Sequence, residues 1–276
     1  MTTVDTGFGR EQQEAVLKFL GERLMGPVAI DVWSRKESPI LLPDREPATH
    51  AAETVLLARQ LAALHPAFTI TLYDLDRHAQ RAAEAGIDRA PTTVFRGVRG
   101  RELRFVGSWI GAVFQSVLEA IVFLGAGGSP LTEESRSTLA ALERDVNVEV
   151  LGAMYDPYSA HLLRLIAALS VETRHVRASF IEMVEYPILA AARQVEQVPV
   201  VTVDGHRGLG SWDEPELVEW IRRLANGDES VVTRAQLLTS PYYTESDIDR
   251  LIEEREGHDA APPLPASPSG LYISGR

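Results

Sequence analysis

Apolar residues recur along this chain with two alternating periods, one helical and one of strands, and the switching between them predicts its elements. Over residues 10–25, Val16, Leu17, Leu20 and Leu24 fall at helical spacing, and Gly26-Pro27 ends the run. Residues 28–33 (Val-Ala-Ile-Asp-Val-Trp) read as a buried strand, followed by an irregular stretch rich in proline and charge up to Pro47. A strongly apolar helix is expected over 49–64 and an alternating strand over 68–74. A polar helix around 77–85 precedes Ala90-Pro91-Thr92-Thr93-Val94-Phe95, a hairpin turn at Gly97–Gly100, a strand at 102–106 and a closing helix at 110–124.

The second half repeats this order after a glycine-rich linker, Gly125–Pro130. Thr132 opens a helix with an acidic first turn, which suits the helix dipole. A strand at 146–154, a helix at 157–170, a short strand at 171–177 and a helix at 181–193 follow. Then come Val198-Pro199-Val200-Val201-Thr202-Val203, a turn at Asp204–Gly210 and a helix at 213–225. Duplication of one αβ unit is the simplest account.

Composition narrows the class. With 276 residues, 45% of them hydrophobic, the chain is long enough for two cores, and it has no apolar run of membrane-spanning length. Its start lacks the basic-then-apolar order of a secretory signal, so a cytoplasmic location is expected. A formal charge of −12 argues against nucleic acid and anionic membranes as partners. The local cluster Arg96, Arg99, Arg101 and Arg104 reads as a solvated hairpin turn. There is no cysteine.

The repeated unit, with a proline at the head of the third strand of each copy, resembles the thioredoxin fold. It is similar to the tandem glutaredoxin-like protein disulfide oxidoreductases and to the N-terminal part of the alkyl hydroperoxide reductase flavoprotein subunit. Residues 87–93 (Ile-Asp-Arg-Ala-Pro-Thr-Thr), Phe105-Val106-Gly107 and the helix at 116–122 carry the likeness in the first copy, and residues 183–187 and 197–201 in the second. The similarity covers residues 10–225. It implies two tandem thioredoxin-like folds, each a central mixed four-stranded sheet flanked by helices. The expected domains are residues 1–125 and 126–226, followed by an extension over 227–276. In this family the prolines are cis and expose a backbone edge that pairs with a bound peptide, which makes Ala90, Pro91, Val198 and Pro199 ligand-binding candidates.

The departures concern chemistry. Where the family has Cys-Pro-Tyr-Cys, the second copy has Asp156-Pro157-Tyr158-Ser159. A carboxylate at the N-cap followed by proline at N1 is a good helix start, so capping alone explains these residues. In the first copy the motif's place falls at Ala48-Thr49-His50-Ala51, after an insertion over 34–47. His50 and Glu53 make only two metal-ligand candidates, too few for a zinc site. Gly210, Ser211 and Asp213 resemble the glutaredoxin segment that grips glutathione's glutamyl end, although Ser and Asp also cap helices.

Thiol–disulfide exchange needs a thiolate nucleophile. The expectation is therefore a redox-inactive scaffold that binds a peptide or protein, without catalytic residues, metal or cofactor. The alternative is an accessory enzyme with reassigned glutathione- or peroxide-related chemistry. Beyond Gly227, residues 242–256 predict a short acidic helix, and the Pro-rich stretch 258–270 predicts a disordered tether ending in a docking peptide.

Overall fold

The computed structural model describes residues 9–36, 48–230 and 232–259. Helix α1 (Arg10–Arg23) leads into β1 (Val28–Ser34), α2 (Ala51–Leu64), β2 (Phe68–Asp74), α3 (Ala79–Glu84), β3 (Thr92–Arg96), β4 (Glu102–Val106) and α4 (Phe114–Ala126). The second copy runs α5 (Glu133–Ala140), β5 (Val146–Gly152), α6 (Pro157–Glu172), β6 (Val176–Glu182), α7 (Pro187–Ala192), β7 (Gln197–Val198), β8 (Val200–Val203), β9 (His206–Leu209) and α8 (Glu214–Ala225). Two further elements are β10 (Ser240–Pro241) and α9 (Glu245–Asp259). One compact unit ends at Tyr242, and a second, holding α9, begins at Tyr243. The expected docking peptide falls after residue 259 and most of the first-copy insertion in 37–47, both outside the described residues.

Eight strands form one mixed sheet in the order β2-β1-β3-β4-β6-β5-β8-β9, so the two halves repeat one four-strand order. In each half the first strand pairs in parallel with the second and antiparallel with the third. The halves join where β4 runs parallel to β6, from Leu103 opposite Ala178 to Val106 opposite Ile181.

Strand alternation gives the sheet two unlike faces. One face presents Ile30, Phe95, Leu103, Phe105, Val148, Phe180 and Val201 to the core, where Leu57, Ile121, Leu163 and Ile221 meet them from α2, α4, α6 and α8. Phe105 stacks on Phe180 with ring centroids 5.0 Å apart and closes this core across the seam. The opposite face carries Asp31, Arg96, Arg104 and Glu149.

The structure shifts three elements from their sequence expectation, one of them the helix expected at 181–193, whose first two residues belong to β6 and which starts only at Pro187. The strand expected at 171–177 lies at 176–182, because Leu169 and Val171 continue the buried face of α6. Gly125, expected in the linker, is buried inside α4, and the helix ends at Gly127 with φ +67°.

Candidate functional site

Both strand-head prolines follow cis peptide bonds, Ala90–Pro91 and Val198–Pro199. Each proline carbonyl accepts the N–H of a positive-φ glycine just after the two-strand hairpin that the proline heads: Gly107 bonds to Pro91 and Gly210 to Pro199, both at 2.8 Å. These glycines open a repeated Gly-Ser-Trp, at 107–109 and 210–212, whose recurrence sequence reasoning missed although it was there to be read. The spacing from Pro91 to Pro199 equals that from the end of α2 to the end of α6. In this register Asp156 corresponds to Ala48.

In the second copy, α6 begins beside Pro199. Asp156 caps it and is fully buried, as is Ser159. Asp156 Oδ2 accepts from the Ser159 amide at 2.7 Å and from its hydroxyl at 2.5 Å. Ser159 Oγ in turn accepts the Ala153 N–H at 3.1 Å. The remaining carboxylate oxygen, Oδ1, accepts from Ser240 Oγ at 2.7 Å. A buried carboxylate is tolerated when its oxygens are paired, and here both are. Pro157 occupies the first helical position, and Tyr158 is half-buried.

Ser240 arrives on a strap that runs back over the Pro199 edge. Its strand β10 pairs antiparallel with β7, placing Ser240 opposite Val198 and Pro241 opposite Gln197. Tyr242 N–H donates to the Glu196 carbonyl at 3.0 Å, and Tyr155 Oη donates to the Pro241 carbonyl at 2.8 Å. The Ser211 amide donates to the Leu238 carbonyl at 2.9 Å. Arg234 anchors the start of the strap: its guanidinium lies 4.3 Å over the Trp212 ring and donates to the carbonyls of Leu209 and Ser211. A Cβ on Gly210 would lie 2.7 Å from Leu237 Cδ1 and 3.0 Å from the Leu238 carbonyl oxygen, so glycine lets the strap close down. Asp213, the N-cap of α8, donates its amide to Glu216 at 3.4 Å. The strap thus runs against Asp156, Val198, Gly210 and Ser211, with Ser159 and Pro199 beside them.

The corresponding place in the first copy is built differently. Ala48 has no side chain with which to cap, and α2 starts only at Ala51, with His50 as its N-cap. His50 Nδ1 lies 3.0 Å from Glu53 Oε2, and Thr54 Oγ1 donates to the His50 carbonyl. Thr49 is exposed, whereas Ala48 and Ala51 are buried. Among the described residues no strand pairs with Ala90, and no group of three or more side chains is placed to hold a metal ion.

The two sites meet at the seam. The Pro91 carbonyl also accepts from Tyr186 Oη of the second copy at 3.3 Å, and Ala112 N–H donates to the Met154 carbonyl at 3.2 Å. Between them lies Glu182, fully buried, whose carboxyl accepts the amides of Met154 and Glu185, each at 3.1 Å. Burial first, and then the neighbouring Glu185 carboxylate, push its pKa up to about 8. Glu185 itself accepts the Ser108 amide. Sequence reasoning named neither Glu182 nor the strap.

Sheet order, paired cis-prolines and seam define a tandem thioredoxin fold. No protein-family model and no curated protein matches the chain. Solved structures do. A protein disulfide oxidoreductase from Aeropyrum pernix K1 is 19% identical with a TM-score of 0.71, over 84% of this chain and 98% of the other. The alkylhydroperoxide reductase AhpF of Enterococcus faecalis, in a mutant form, is 18% identical with a TM-score of 0.67, over 78% of this chain and 99% of the other. The likeness is one of fold. No described helix is long and apolar enough to cross a membrane.

Proposed function

We propose that this protein is a redox-inactive thioredoxin-fold module that binds extended peptide segments of a partner protein along its cis-proline edges. The second groove is held by the chain's own strap until a partner displaces it. The observation that carries this reading is the pairing of β10 with β7 beside Pro199. It is antiparallel strand addition, the means by which sheet edges capture peptides, and it lies where the fold's relatives are expected to bind theirs. Chemistry argues the same way. No cysteine is present, and the Ser159 hydroxyl is buried with its proton donated to Asp156 and its oxygen occupied by the Ala153 amide. Such a hydroxyl is tied into a helix cap and is no activated nucleophile. The Ser211 amide, which a γ-glutamyl ligand would need, is held by Leu238.

The test is Ser240→Glu, which sets a second carboxylate against buried Asp156 and expels the strap. Faster hydrogen exchange at the Tyr242 and Ser211 amides reports the release. A labelled peptide copying residues 234–243 is then expected to bind this variant at least tenfold more tightly than the parent chain, with insulin reduction undetectable in both. Release of the strap without gain of peptide binding overturns the reading, as does disulfide reduction by either protein. Glutathione is expected to leave the Val198 and Ser211 amide shifts unmoved.

A further inference from the structure

The sheet face away from the core is a basic groove inside an acidic protein. It has a volume of about 1420 Å³ and runs between α3 and the loop after α7. Nine arginines and four carboxylates line it, and no lysine does, whereas the whole chain carries a formal charge of −12. Arg96, Arg99, Arg101 and Arg104, expected from the sequence to form a solvated turn, line this groove instead. The parallel seam between β4 and β6 sets that turn beside Arg174 and Arg177 of the second copy.

The cations divide into two sets. Arg96 is spent on Asp31 and Glu102, Arg193 on Glu149, and Arg177 on Asp145. By contrast Arg81, Arg99, Arg101, Arg104, Arg174 and Arg207 make no ion pair with any carboxylate among the described residues. Arg104 and Arg101 are held by backbone carbonyls instead, Arg104 by those of Ala85 and Gly86 and Arg101 by that of Val171. Burial first, and then the nearby charges of Arg99 and Arg174, lower the Arg101 pKa from the ordinary guanidinium value. Glu172 offsets part of this, yet the three guanidinium groups, drawn from two copies, line one groove with no carboxylate at ion-pair distance among the described residues, the arrangement that an anion relieves.

We propose that this groove binds a short acidic peptide segment, its Asp or Glu carboxylates docking on Arg99, Arg101 and Arg174 and reaching along the sheet to Arg104. Two observations favour a peptide over nucleic acid. Base stacking needs a free aromatic face, yet Trp33 and Tyr73 stack on each other at 4.3 Å and Arg81 covers Tyr73. The floor also interposes Asp31, Glu102 and Glu149 among the cations, so positive charge is not continuous along it as a phosphate backbone requires. The groove's lining reaches Val200 beside Pro199 but includes none of residues 234–242, so this proposal stands or falls independently of the strap.

The experiment titrates the full chain, at low and at physiological salt, with fluorescein-labelled octaglutamate, octaglutamine and an oligothymidine of matching charge. Octaglutamate is expected to bind at low salt and to weaken as salt screens it, with octaglutamine inert. Arg99→Gln combined with Arg174→Gln is expected to weaken binding at least tenfold with an unchanged melting curve. The matching pair of lysine substitutions should retain most of the affinity, and Ser240→Glu should change nothing. Absence of octaglutamate binding at low salt, undiminished binding to the glutamine pair, or tighter binding of oligothymidine overturns the proposal.

Discussion

Thr93 and Val201 stand at the same place in the two copies, and one hydroxyl separates their effects. Trp109 Nε1 donates to Thr93 Oγ1 at 3.1 Å, whereas Trp212 Nε1 is buried with no hydrogen-bond partner among the described residues and Val201 stands where the threonine would be. Trp212 is instead held by stacking on Trp220, with centroids 4.4 Å apart, beneath Arg234. Thr93→Val, nearly isosteric, would orphan a second indole N–H and is expected to cost about 1–3 kcal/mol, read from the urea midpoint. Glu182 adds a pH dependence. Its folded pKa of about 8 lies above the ordinary 4.5, so the folded state keeps a proton that the unfolded chain releases. The stabilisation from this group is full below pH 4.5 and is lost as pH rises toward 8, with a slope approaching about 1.4 kcal/mol per pH unit. Glu182→Gln gives up an acceptor for one amide but should flatten that slope. A variant curve parallel to the parent between pH 5 and 8 would refute the assignment.

At the scale of elements, the strap is the part that periodicity could not announce. Strands β1, β5 and β6 and helices α2 and α6 each carry a repeating apolar pattern, and the paired strand-head prolines mark equivalent positions in two copies. Strand β10 is two residues long, Ser240–Pro241, and owes its conformation to the backbone of Val198 and the carboxylate of Asp156 rather than to its own side chains. A segment that borrows its structure leaves no period in the sequence. The basic groove was hidden for a related reason: its cations belong to separate halves, and only the seam joins them. The degenerate motif at Asp156 was legible because N-capping is local, and its link to Ser240 was not. Gly210→Ala tests the strap as an element. At φ +83°, with its new Cβ driven against Leu237, the variant is expected to loosen residues 234–242 while leaving the β8–β9 pair intact. Trypsin should then cut after Arg234 several-fold faster, since cleavage follows local opening. An unchanged rate would mean that the strap does not depend on this close approach.

For the whole molecule, the question is whether two copies of a fold remain two folding units. The seam argues that they do not. Strands β4 and β6 continue one sheet, the Phe105–Phe180 stack lies on the shared apolar face, and Ser116 of α4 donates to the Ala160 carbonyl of α6 at 2.8 Å. Exposing either half alone would leave β4 or β6 as a bare edge and uncover that stack, a cost neither half can recover internally. A single calorimetric transition is therefore expected for residues up to Tyr242, with calorimetric and van't Hoff enthalpies in agreement. Phe180→Ala removes a fully buried ring from the second copy, at a cost of about 3–5 kcal/mol. If the copies are one cooperative unit, the whole transition shifts downward by roughly 10 °C, at about 2–4 °C per kcal/mol for a chain of this size. If they are independent, the trace splits and the first copy melts where it did before. That second outcome would make the seam a contact between finished domains and would remove the mechanical basis for a groove whose arginines come from both halves.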